Sequence, residues 1–287
     1  WQTQGTYVGA TCGRYANRIA LACFPLDGRE VVLDRNHGRH QLHGGSEGLD
    51  RKVWTITSQS PDHVTFATTS PEGEMGFPGQ LDLTCTYRLV AANAVLIEMT
   101  ATTTAPTIVN LANHAYFNLA GQGAGQVLDH HLRLHADHFT PVDAENIPTG
   151  EIRAVAGTPF DFRDSRPIRA LLPGPHGLDH NFCLSAPVQV RHGEALRPAA
   201  ELSDPGSGRK LSLWTSEVGL QVYTGAHFDG TQPGKAGVLY GRFPGIALET
   251  QKFPDSPNQP QFPSARLEPG QTYRHLVLLD FAPDPAG

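Results

Sequence analysis

Residues 80–89, Gln-Leu-Asp-Leu-Thr-Cys-Thr-Tyr-Arg-Leu, alternate without a break: Leu81, Leu83, Cys85, Tyr87 and Leu89 share one face, and Asp82, Thr84, Thr86 and Arg88 the other. A period of two with one apolar side predicts a half-buried antiparallel strand. Comparable runs predict strands over residues 30–34, 53–58, 63–69, 94–102, 127–135, 209–215, 219–224, 245–251 and 272–281. No window holds the 3.6-residue period of an amphipathic helix for more than about two turns. Short strands rich in Thr, Val and Tyr predict an all-β chain folded as a large antiparallel β-sandwich rather than a βαβ fold. Neither an internal repeat nor a shift of composition divides the chain, so residues 1–287 read as a single domain.

Composition agrees and narrows the partners. Thirty glycines and 23 prolines, spread through the chain, imply many turns between short elements. A net charge of -6 with no basic run argues against nucleic acid or an anionic membrane surface, and leaves a small neutral or polar ligand as the fitting partner. Cys12, Cys23, Cys85 and Cys183 form no CxxC pair and lie mostly among apolar neighbours, which favours buried free thiols and a reducing, cytoplasmic compartment. No apolar run is long enough to span a bilayer. The chain is expected to act as a monomer or weak homodimer.

Two residues carry the candidate chemistry. Glu249 is ionisable within the apolar run 245–251, which stops at a proline-rich loop; alternation puts Ile246, Leu248 and Thr250 on one face and Ala247, Glu249 and Gln251 on the other. Within residues 110–119, read as one strand, His114, Tyr116 and Asn118 share a face opposite Leu111, Ala115, Phe117 and Leu119. Taken singly, the first reads better as a solvated carboxylate on an edge strand and the second as a structural histidine. Together they supply an acid–base pair, with a glutamate whose ordinary pKa of ~4.3 predicts ionisation at neutral pH and an imidazole near ~6.5.

Groups suited to hydroxyls lie nearby in the pattern. On residues 219–225, Gln221 and Tyr223 oppose Leu220 and Val222, offering an amide and a phenol. Asn17, Arg18 and His43 are candidate donors to ligand oxygens, Asp179 a candidate acceptor for two vicinal hydroxyls or a turn cap, and Gly44 and Gly45 would allow backbone to approach a ligand. Arg14 and Arg39 read as solvated charges. His130, His131, His135 and His138 suggest a metal cluster, but strand alternation parts His130 and His138 from His131 and His135. His37, His40 and His43 lack a local carboxylate to complete a facial triad. Gly121-Gln-Gly-Ala-Gly125 links two strands with no helix to follow, and so reads as a hairpin loop rather than a phosphate cradle.

Seven segments, Gly13-Arg-Tyr-Ala-Asn-Arg-Ile19, Leu42-His-Gly-Gly45, Asn113-His-Ala-Tyr-Phe-Asn-Leu119, Phe139-Thr-Pro-Val-Asp143, Gly177-Leu-Asp-His-Asn-Phe182, Gly219-Leu-Gln-Val-Tyr-Thr-Gly225 and the block from Leu248-Glu-Thr-Gln to Phe262-Pro-Ser264, together resemble the aldose 1-epimerase (galactose mutarotase) family in that family's order. The resemblance implies a galactose mutarotase-like supersandwich, no cofactor and no metal, and interconversion of the α and β anomers of free aldohexoses such as galactose or glucose. It also implies Glu249 as base, His114 as acid, and Asn17, Arg18, His43, Asp179 and Gln221 as sugar-binding positions. The family has a few tens of residues, forming its first strands, before the segment that starts here at Trp1, and the resemblance implies that these are lacking. Two other readings stand beside it. One is a hexose-6-phosphate 1-epimerase, which would call for an Arg/Lys cluster where only Arg18 stands; the other is a non-catalytic carbohydrate-binding β-sandwich.

Overall fold

The computed structural model describes residues 5–172 and 174–283. Among these residues the strands gather into two large sheets, and every strand pairing is antiparallel. The ten-stranded sheet runs in the order Arg166–Pro167, His131–Leu134, Glu194–Asp204, Arg209–Thr215, Tyr273–Pro283, Ala94–Thr103, Leu81–Ala91, His63–Ser70, Thr55–Gln59, with Gln189–Arg191 beside Glu194–Asp204. The six-stranded sheet runs Tyr116–Phe117, Ile246–Gln251, Gly219–Tyr223, Asp179–Leu184, Ala136–Thr140, Arg153–Ala154. Two short pairs add walls around the second sheet: Thr11–Cys12 with Ala112–Asn113, and Arg18–Ile19 with Gln41–Leu42.

Alternation decides which face of each sheet is buried. Leu81, Leu83, Leu211, Leu213, Val277 and Leu279 of the larger sheet meet Phe139, Phe182, Leu220, Val222, Ile246 and Leu248 of the smaller in one apolar cluster. Each such side chain contributes about 1.5–3 kcal/mol when fully buried. With the even-numbered residues of Ile246–Gln251 and Gly219–Tyr223 committed to that cluster, the odd-numbered ones must project from the opposite face. That opposite face carries the candidate chemistry.

The expected strands over 63–69, 94–102, 209–215, 219–224, 245–251 and 272–281 are present within a residue or two of their ends. Several expectations change. The run 127–135 opens as a short 3-10 turn, Val127–Asp129, before the strand His131–Leu134, so its histidines do not share one alternation. Residues 110–119 are two short strands, Ala112–Asn113 and Tyr116–Phe117, separated at His114 and Ala115. Leu89 runs past the core and is exposed. Further strands arise where none was expected, the two longest being Asp179–Leu184 and Glu194–Asp204. Gly44 lets backbone approach backbone rather than ligand: its φ is +92°, and a Cβ there would lie 1.9 Å from the carbonyl oxygen of Gly13.

Candidate active site

Register places the site. Glu249 lies opposite Gln221, which lies opposite Asn181; two residues along, Tyr116, Ala247, Tyr223 and Asp179 form the neighbouring row across the four strands. Directly opposed residues of an antiparallel pair share a face, so this face of the sheet carries one row of amides and a carboxylate beside one of two phenols and a carboxylate. The facing wall is Arg18 and His43, carried by the short pair Arg18–Ile19 and Gln41–Leu42 and its continuation. His114 enters from the break between its two short strands, where its own N–H donates to Ala10 and its carbonyl accepts from Gly9.

These residues surround a cavity of about 230 Å³ lined by Asn17, Arg18, His43, His114, Asp179 and Glu249 with the rings of Tyr7, Tyr116 and Tyr223. All seven expected site positions thus converge, but not in equal roles. Gln221 does not line the cavity; its Nε2 donates to Asp179 Oδ1 at 2.6 Å and so orients that carboxylate. Arg18 approaches the other Asp179 oxygen at 3.5 Å. Asn118, expected beside His114, instead donates to the carbonyls of Gly125 and Pro244 and borders a separate cavity. Tyr7, His37 and His227 also reach the pocket. Tyr7 had no sequence signal, because it sits in an irregular turn with no periodicity to aim it.

Glu249 and His114 are paired at the base of the cavity, with Glu249 Oε1 3.4 Å from His114 Nε2 and both side chains almost wholly buried. The environment of Glu249 departs from the expectation of an ordinary carboxylate pKa. Burial, reinforced by the Asp179 carboxylate and opposed by Arg18, pushes its pKa well above the usual carboxylate range. Burial also depresses His114 to about 4. Both shifts run toward a neutral pair, a protonated carboxyl beside an unprotonated imidazole. Among the described residues, Glu249 Oε2, His114 Nδ1, Gln221 Oε1 and Arg18 Nε find no hydrogen-bond partner. Burial raises the phenols of Tyr7, Tyr116 and Tyr223, the last to about 12, so all three remain hydroxyl donors near neutrality.

His43, His114 and Glu249 place ligand atoms within 4.8 Å of one another, a two-histidine, one-carboxylate group assembled from three distant segments. The local hydrogen bonding sets His43 for another role. Asn17 N–H donates to His43 Nδ1 at 3.1 Å, which leaves the ring proton on Nε2 and makes that nitrogen a donor, not a metal ligand. The other suspected cluster is dispersed: His130 Nε2 accepts from Leu119 N–H, and His135 lies against Glu201.

An aldose 1-epimerase family model matches residues 1–280. The chain belongs to the aldose 1-epimerase family. Galactose mutarotase of Bos taurus is 44% identical over 278 residues, covering 96% of this chain and 79% of that protein. Aldose 1-epimerase of Haemophilus influenzae is 43% identical over 268 residues, covering 91% and 76%. Among solved structures, an aldose epimerase homologue from C. elegans superposes with a TM-score of 0.89 at 31% identity, covering 98% of this chain and 84% of that one. As a member of the aldose 1-epimerase family the chain is an isomerase, and its two large antiparallel sheets are those of its structural relatives. Among the described residues, no helix is long and apolar enough to cross a membrane.

The reversed titration order of the epimerase's Glu249 and His114 has a consequence for stability. In the unfolded chain the imidazole holds its proton to ~6.5 and the carboxyl only to ~4.3. Between these values the two shifts oppose each other: the depressed His114 adds stability as pH rises toward ~6.5, and the raised Glu249 removes it. Above ~6.5 the His114 contribution is complete, and the raised Glu249 carboxyl alone goes on losing stability as pH rises through its folded value. Melting temperatures measured from pH 5 to 9 are expected to show this decline in the wild type and to lose that part of it in Glu249→Gln.

Proposed function

We propose that the chain interconverts the α and β anomers of free aldohexoses, galactose or glucose among them, with Glu249 as base and His114 as acid. The observation that carries this reading is the contact of Glu249 and His114 at 3.4 Å, in a cavity whose remaining polar groups are hydroxyl donors and acceptors. Arg18, His43 and Asp179 hold sugar hydroxyls directly, Asn17 lies beside them and fixes the His43 tautomer, and Gln221 acts through Asp179. Aromatic faces of Tyr116 and Tyr223, whose rings lie 6.1 Å apart, supply a surface for the C–H side of a pyranose.

Proton bookkeeping fits the resting state. Moving the shared proton from Glu249 to His114 creates carboxylate and imidazolium without exchange with water, and an anomeric hydroxyl donating to the unpartnered Glu249 Oε2 would favour that form. The carboxylate then takes the O1 proton, the imidazolium gives one to the ring oxygen, the bond from C1 to the ring oxygen breaks, and O1 becomes the aldehyde oxygen. Rotation about the C1–C2 bond turns the other carbonyl face toward the released hydroxyl. On closure His114 recovers its proton and Glu249 returns one to O1.

The shift directions favour a second reading with the roles exchanged, because a resting carboxylic acid and neutral imidazole could act as acid and base as they stand. A structure with bound sugar separates the two: the ring oxygen lies beside His114 Nε2 in the first and beside Glu249 in the second. Polarimetry across a panel of free aldoses tests the activity itself. Rapid interconversion of at least one aldohexose, unchanged by prolonged chelation, is expected; binding without rate enhancement would leave the non-catalytic carbohydrate-binding sandwich, and loss on chelation would restore a metal to the His43, His114 and Glu249 group. A 6-phosphate preference is not expected, because Arg18 is already engaged by Asp179.

A further inference from the structure

The chemistry assigned to Glu249 and His114 uses none of the polar groups buried on the other side of the strand that carries Glu249. Among those groups is His275, fully buried on Tyr273–Pro283 of the ten-stranded sheet, on the same inward face as Tyr273, Val277 and Leu279. An ionisable ring in that cluster costs desolvation unless its nitrogens are satisfied. Both are satisfied, and by the two segments that carry the dyad.

His275 Nδ1 lies 3.0 Å from the carbonyl oxygen of Leu111. A carbonyl only accepts, so Nδ1 carries the proton, and Nε2 accepts from the hydroxyl of Thr250 at 2.9 Å. Burial lowers the His275 pKa and keeps the ring neutral, as this donor and acceptor pattern requires. Thr250 directly follows Glu249 and projects from the core face of the same strand. Leu111 stands three residues before His114. The ring therefore bridges, from beneath, the strand that aims the carboxylate and the segment that aims the imidazole.

Leu111 is held from the same strand a second time. Its N–H donates to the Tyr273 hydroxyl at 3.2 Å, and that hydroxyl lies 3.4 Å from Glu217 Oε1. Backbone pairing between the two dyad segments is sparse: Tyr116–Phe117 pairs with Ile246 and Ala247, on the far side of His114 from Leu111. On the Leu111 side, side chains make the connection, through His275 and through Asn110, whose Oδ1 accepts from Lys252 N–H at 2.8 Å.

We propose that His275 is a positioning residue for the reaction, fixing the separation of Glu249 and His114 by tying Thr250 to Leu111 across the two sheets. The proposal rests on the assignment of those two residues as the acid–base pair. Because a proton must pass between them and to a bound sugar, a displacement of a fraction of an ångström lowers turnover more than it lowers binding, which depends on Arg18, His43 and Asp179.

The test is steady-state mutarotation by wild type, Thr250→Val, His275→Phe and His275→Gln, each assayed well below its own melting temperature. In Thr250→Val and His275→Phe, kcat is expected to fall about tenfold or more with KM within roughly twofold. His275→Gln, whose amide offers one donor and one acceptor, is expected to recover most of that loss. Turnover within about twofold of wild type in Thr250→Val would overturn the proposal, as would a loss carried by KM. Should His275→Phe fail to fold, the nearly isosteric Thr250→Val decides alone. Glu249→Gln is measured in parallel: if it remains active the acid–base assignment itself fails, whereas an inactive Glu249→Gln beside an unaffected Thr250→Val removes only the role of His275.

Discussion

Glu249→Gln is expected to lower the rate of anomer interconversion by roughly 10²–10⁴, the range contributed by one positioned proton transfer. Glutamine keeps the shape and can still accept a hydroxyl hydrogen bond, so KM should change little while kcat falls. His114→Asn removes the other half of the same relay and should cost a comparable factor. Because one proton serves both residues, the double variant is expected to be no slower than the slower single variant by more than a few-fold, the non-additivity of groups that act as a unit. Polarimetric progress curves with a free aldohexose, corrected for the spontaneous reaction, give all three rates. A Glu249→Gln enzyme within about tenfold of wild type would remove the assignment. The same substitution should melt higher than wild type at pH 8, since it deletes a carboxyl whose ionised form burial penalises.

Glu249 was legible in the sequence because it sits on a strand with clean alternation, whereas His114 stands at a break between two short strands. Once Leu248 and Leu220 are assigned inward, Glu249 and Gln221 must face outward, and the observed register sets them side by side. Their electrostatics were not legible. An ordinary pKa presumes solvent, and the burial that reverses the titration order of Glu249 and His114 arises from walls contributed by residues 7, 18, 43, 116 and 223, distant in sequence.

The two longest unexpected strands show what hides a strand from its own sequence. Asp179–Leu184 opens with Asp-His-Asn, a turn-like triplet, yet it lies between Ala136–Thr140 and Gly219–Tyr223, and Asn181 is almost fully buried. Its polarity serves the site face of the sheet. Glu194–Asp204 is rich in Ala and Glu and contains Pro198, residues that argue against a central strand. The register shifts between Pro198 and Ala200, so the proline occupies an irregularity in the ladder where a missing N–H is tolerated. In both strands tertiary pairing overrides local preference.

Arg14→Met is expected to destabilise the fold by about 3–5 kcal/mol, the largest stability loss predicted for a single substitution in this chain. The sequence presents Arg14 as a solvated charge in a polar turn, and the structure buries it to 2% exposure. All five guanidinium N–H groups are used. Nε donates to Ser70 Oγ at 2.7 Å, one terminal nitrogen to the carbonyls of Pro78 and Gly79, and the other to those of Ser70 and Pro71. Burial lowers its pKa to about 10, partly offset by Glu74, so it stays cationic. Methionine fills much of the volume but removes the donor from four carbonyls, of which the buried ones of Ser70 and Gly79 cost about 1–3 kcal/mol each and those of Pro71 and Pro78 are only part-buried. Lysine offers three donors from one point in place of a planar fork and should recover only part of the loss. The consequence reaches the site, because Arg14 anchors the turn that delivers Asn17 and Arg18 to the loop of residues 70–79. Calorimetry should show a fall of about 10 °C or more in Arg14→Met and a smaller one in Arg14→Lys. An unchanged melting temperature in Arg14→Met would mean that the five hydrogen bonds contribute nothing net to folding.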